Sequence, residues 1–241
     1  MITINGFEAE FESRVSGTNG EVLLLSGISG NRIAPLFQYI YAPKSGRQID
    51  IEVTSGQHTA RTEFGIELTR LKPWDSRSQS ISRAYKLLSF GAEIDAADSP
   101  ADWTVKIDSL NKASQLFQQF GMQEMRLWAN YLTAHLVQFH LHDHSLVYDM
   151  TRDILDNLKG VRLSRIELVT FQLQSLALIG LRNTGSLAVP ADGVDPLQIV
   201  LAQTAELAEG MGFGFEQARA IYARGVEYAK QSLYSDALVQ F

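Results

Sequence analysis

Up to about residue 70 the chain alternates between apolar and polar residues, and after that the period changes. Phe7, Ala9 and Phe11 interleave with Glu8, Glu10 and Glu12. Ile49, Ile51 and Val53 interleave with Gln48, Asp50 and Glu52, and Phe64, Ile66 and Leu68 with Glu63 and Glu67. A period of two puts one face in a core and one in water, as in a half-buried strand. Turn-forming residues separate these runs at 16–20, 29–31, 43–46 and 55–56. The pattern predicts about five or six short antiparallel strands. Lys72-Pro73-Trp74-Asp75 ends that regime. From Ser78 onward the spacing is helical, with Ile81, Tyr85, Leu88 and Ala92 on one side. Ser99-Pro100 breaks the pattern, and a helix then runs to about Phe120, where Gly121 stops it. Further helices are expected over 122–141, 144–158, 163–182, 196–210 and 215–231, with a last one starting at 233. The expected class is α+β and multi-domain. A small N-terminal antiparallel β-sandwich over 1–72 precedes an all-α helical repeat array over 78–241, with about three and a half helix pairs, the last incomplete.

Composition narrows the function classes. The 241 residues accommodate one large domain or two modest ones. A formal charge of −6 argues against nucleic acid as a main partner, because phosphate binding needs a basic surface. No run of about 18 apolar residues exists, so no membrane span is expected. The opening residues, MITINGFEAEF, lack the basic and apolar regions of a signal peptide. The chain has no cysteine, which excludes zinc–thiolate sites, disulfides and thiol catalysis. Absence of cysteine also favours a periplasmic or extracellular location over the cytoplasm. Nothing in the sequence calls for a cofactor.

Within the helical part, a period near 34 residues carries a family resemblance. The segment from Ile221 to Phe241 places Ile221 at a large position, Gly225 at a small crossing position, Tyr228 and Tyr234 at aromatic positions, and Ala237 and Phe241 on the second helix. This resembles the tetratricopeptide repeat (TPR). Arg224 departs from it, standing where the family usually has leucine. Residues 128–161 fit the same frame with Tyr131, His135 and Val147, His135 being a poor match for a small position. Residues 82–121 fit through Tyr85, Leu88 and Ala113, and the helices at 163–182 and 196–210 make a fourth unit whose register stays open. A small residue lets two helices approach, and bulky residues a turn away fill the remaining gap. Upstream, the Tyr41-Ala-Pro…Ser45-Gly46 turn and the Phe64–Leu68 run are similar to the end of a bacterial pre-peptidase C-terminal-like sandwich. That order of parts resembles the N-terminal region of bacterial proteins ending in a caspase-like CHAT peptidase domain. The resemblance implies a fragment of a longer protein whose effector domain lies outside this chain.

The candidate chemistry centres on Gln138–Leu146, QFHLHDHSL, which holds three of the five histidines. His140-Leu-His142-Asp143-His144 resembles the His-x-His-x-Asp-His motif of metallo-β-lactamases, one residue short. The missing residue rotates Asp143 and His144 away from the first pair, and helical sequence flanks the motif where that family has a strand. In the repeat frame, His142 and Asp143 fall in an inter-helix turn and His144 takes the turn-aromatic position. The turn is the favoured reading, and a metal site at His140, His142 and His144 is the alternative. LSGISGN at 25–31 is one residue short of a nucleophile elbow. GMGFGF at 210–215 lacks the P-loop lysine and follows a helix, so it reads as a cap and linker.

The TPR resemblance implies a ligand groove lined by first helices. Its groove positions are Leu132, Leu136, Phe139 and His140 in one unit, and Arg219, Tyr222, Val226 and Lys230 in another. Arg83, Lys86 and Phe90 take the corresponding positions in the first unit. Rings and aliphatic groups there supply buried area, and basic tips hold carbonyls or acidic side chains. The function expected is a protein- or peptide-binding scaffold or regulatory module, with no catalytic residues in this chain. The partner is a protein, a peptide or another domain of the same polypeptide, and an uncovered C-terminal helix face would favour a homo-oligomer. The rival is a metal-dependent hydrolase using the histidine cluster. A carbohydrate-binding sandwich is a third reading, although Trp74 at the junction is explained by packing.

Overall fold

A computed structural model describes residues 76–92, 98–159, 164–187 and 195–240. The side chains of Ser78 and Phe215 are outside that description, and before residue 76 only the backbone of six strands is described. Two compact units divide the chain, Met1–Glu93 and Ile94–Phe241.

In the first unit, strands β1 (Ile2–Gly6), β4 (Leu36–Tyr39) and β6 (Phe64–Leu68) pair antiparallel in the order β4-β1-β6. Strands β2 (Phe11–Gly17), β3 (Val22–Gly27) and β5 (Ile49–Ser55) pair in the order β3-β2-β5. Helix α1 (Ser76–Ala92) closes this unit. Ala84, Tyr85 and Leu88 of α1 are buried, and Arg83, Lys86 and Phe90 are exposed.

The expected α+β class is corrected. Every element from Ser76 to Gln240 is helical, so the part of the chain whose side-chain packing is described is an all-helical fold. The sandwich expected over 1–72 lies outside the described side chains. A period of two dictates which residues share a strand face. It does not dictate that two apolar sheet faces meet, and the sandwich was inferred from that second step.

The second unit contains α2 (Pro100–Gln119), α3 (Gln123–Leu136), a π-turn (Val137–Leu141), α4 (His144–Leu158), α5 (Ser164–Asn183), α6 (Pro196–Gly210), α7 (Gly214–Lys230) and α8 (Tyr234–Gln240). Each helix packs on the next one in sequence, and α3 also touches α5. Local chemistry sets the boundaries. Ser99 caps α2 in a reciprocal box: Asp102 N–H donates to Ser99 Oγ at 3.4 Å, and Ser99 N–H donates to Asp102 Oδ2 at 2.8 Å. Asp143 and Asp195 cap α4 and α6 by accepting from Leu146 N–H at 3.0 Å and Leu197 N–H at 3.1 Å. Pro100 and Pro196 occupy the first turns, where a missing N–H costs nothing.

Several helices end in the same way. The amide of Met122 donates to Phe117 O at 2.9 Å, Ser186 to Leu181 O at 2.8 Å, Phe213 to Ala208 O at 2.8 Å and Leu233 to Tyr228 O at 3.0 Å. This Schellman closure needs a left-handed residue just before the donor. Gly121, Gly185 and Gly212 supply it at φ 68, 71 and 74, and Ser232 does so at φ 62 without being glycine. The turns are only residues 120–122, 211–213 and 231–233, so neighbouring helices must double back on each other.

Packing follows the 3.6-residue period. On α4, Val147, Thr151, Ile154 and Leu158 are buried, and Asp149, Arg152, Asp153 and Asp156 face solvent. Farther along, Leu178, Leu197, Val200 and Leu201 form a core cluster, with Tyr148, Phe171, Ile179, Leu187 and Ala223 around it. Buried threonines are satisfied within their own helices: Thr133, Thr170 and Thr204 donate to the carbonyls of Ala129, Ile166 and Val200 at 3.0, 2.6 and 2.7 Å.

Candidate ligand-binding surface

The histidine segment begins where α3 changes its winding. Val137–Leu141 is a π-turn, which inserts extra backbone per turn and re-aims the side chains beyond it. His142 then ends the helix in the left-handed region at φ 54, and Asp143 starts α4 as its N-cap. Each of the three imidazoles meets a different environment. His140 stacks on Trp103 of α2, with centroids 3.6 Å apart and planes inclined by 14°. His142 is exposed. His144 has Nδ1 at 3.1 Å from Gln138 Oε1, and its ring lies so close to Gly180 of α5 that a methyl there would overlap it. Among the described residues, no group of three histidine, aspartate or glutamate side chains is placed to hold a metal ion. The separate partners of the three rings are the physical reason.

A polar and aromatic cluster surrounds His140. Lys106 Nζ lies 5.3 Å from the centroid of the Trp103 ring and 2.5 Å from Asp98 Oδ2, with both charged side chains largely buried. Burial is the main reason the His140 pKa lies below the ordinary value, with Asp98 opposing the shift and His142 and Lys106 reinforcing it. One turn back, His135 tilts against Phe139 at a centroid distance of 4.5 Å. Burial, helped by the charge of His140, lowers the His135 pKa to about 4. The His135 ring is therefore neutral at pH 7. Phe139 is 45% exposed on the π-turn, and Leu141 beside it is 48% exposed.

The predicted groove residues divide by environment. Leu136 is core, and Leu132 and Val226 are half-buried. Phe139 and Tyr222 are exposed aromatics, Tyr222 at 62%. Arg219 and Lys230 are exposed, and Lys230 Nζ is tied to Glu227 Oε1 at 2.7 Å. Phe139 and His140 are neighbours on the π-turn, whereas Arg219, Tyr222, Val226 and Lys230 share α7. Arg83, Lys86 and Phe90 belong to the first compact unit.

Two constellations escaped sequence reasoning. Trp103, Lys106 and Asp98 gather beside His140. The spacing of Trp103 and Lys106 at i and i+3 was the available signal. The second is an ion network. Arg182, in the last turn of α5, reaches Asp195 Oδ1 at 2.5 Å through Nη2 and Glu227 Oε2 at 2.6 Å through Nη1. Burial alone would lower the Arg182 pKa, but the bonds and charges of Asp195 and Glu227 reverse this and raise it. The helix start at 196 was expected from the sequence, but Asp195 as its cap and the arginine that Asp195 binds were not.

No family model matches the chain, and no curated protein matches it significantly.

Proposed function

We propose that the helical unit is a protein- or peptide-binding scaffold of TPR-like design. The supporting observation is the exposure of large aromatic side chains, Phe139 on the π-turn and Tyr222 on α7. Gly225, the small crossing position of the repeat frame, and Ala237, its small second-helix position, are buried, in line with close helix approach in the last pair. The direct contact of α3 with α5 also suits an array whose alternate helices line a common side. Exposed aromatics next to aliphatic groups are the side chains that most often anchor a partner.

The test is selection from a random peptide display library on the whole chain, followed by binding to wild type and to the variant carrying F139A and Y222A. Enrichment of related sequences whose binding weakens at least about tenfold in the variant would support the scaffold. Failure to enrich any sequence, or equal binding by the double variant, would overturn it.

A further inference from the structure

We draw no further inference here: the strongest candidate, the exposed apolar patch of α8 at Tyr234, Leu238 and Val239, carries nothing because nothing in the structure shows what covers it.

Discussion

Replacing Arg182 by methionine should cost more stability than any exposed charge in the helical unit, because its partners are buried. The Glu227 side chain is only 3% exposed and that of Asp195 14%. Removing one member of a buried ion pair typically costs about 3–5 kcal/mol, since the other charge is left in a poorly solvated place. Two features pull the value toward the lower end. Lys230 remains on Glu227 at 2.7 Å, although its own side chain is 53% exposed. Asp195 still accepts from Leu197 N–H at 3.1 Å and from Gln231 Nε2 at 3.1 Å. The expectation for R182M is therefore a loss of about 3 kcal/mol. Urea unfolding of the full chain, followed by far-UV circular dichroism, measures it, with an unchanged m-value showing that the folded state is otherwise intact.

The double variant, R182M with E227M, separates buried charge from lost packing. It removes the more deeply buried of the two orphaned carboxylates together with Arg182, leaving Asp195 on its backbone and Gln231 bonds, and replacement of a buried pair by apolar groups is often close to neutral. Its loss should be about 2 kcal/mol smaller than that of R182M, and E227M measured alone completes the cycle. A loss below about 0.5 kcal/mol for R182M would show that solvent screens the network, as at an exposed pair. Additive losses in the double variant would show that the three side chains do not act as one unit. Either result refutes the reasoning.

Three further predictions test other parts of the fold. G180A should destabilise by about 1–3 kcal/mol through overlap with the His144 ring, and H144A in the same chain should restore most of that loss, as read by thermal melts. S232G should stabilise by about 0.5–1 kcal/mol, because glycine removes the left-handed strain at φ 62 and gives back part of the gain through the unfolded chain; no gain in urea midpoint would contradict this. His135 has a folded pKa of about 4, below its ordinary 6.5, so the unfolded state binds its proton first. Its contribution is complete above pH 6.5 and falls away as the pH drops towards 4, by up to about 3 kcal/mol. H135Q should flatten the stability difference between pH 6.5 and 4.5, and an unchanged slope would rule this out.

Helix positions were legible because punctuation is local. Pro100, Asp143, Asp195, Pro196, Gly121 and Gly212 sit where starts and stops are observed, and the helices fall within one or two residues of the expected limits. The π-turn was not legible. Its apolar spacing continues that of α3, and a change in hydrogen-bond register leaves no mark on composition. The fold class failed where the argument passed from a strand period to a packed second layer. The histidine turn was read in part: His144 does pack as a planar group in a turn, but the glycine it packs on lies 36 residues away on α5. Trp103 on His140 and Arg182 on Glu227 are likewise contacts between distant segments. They depend on which helix faces meet, which periodicity alone does not determine. Tyr234 went the other way: expected as a packed turn aromatic, it is 65% exposed.

The end of α3 carries a local conformational cost that other helix ends in this chain avoid. His142 is a non-glycine residue in the left-handed region, at a cost of about 1–2 kcal/mol. The preceding π-turn gives up regular helical hydrogen bonding, and Phe139 and Leu141 next to it are left about half exposed. A regular helix ending in a glycine, as at Gly121 and Gly212, would avoid these costs, and this chain uses that solution repeatedly. The different ending places His140 flat on Trp103 and turns Phe139 outward, an arrangement that a regular α-helical register would not give. Backbone strain, exposed apolar side chains and a ring stacked on Trp103 coincide on one short segment.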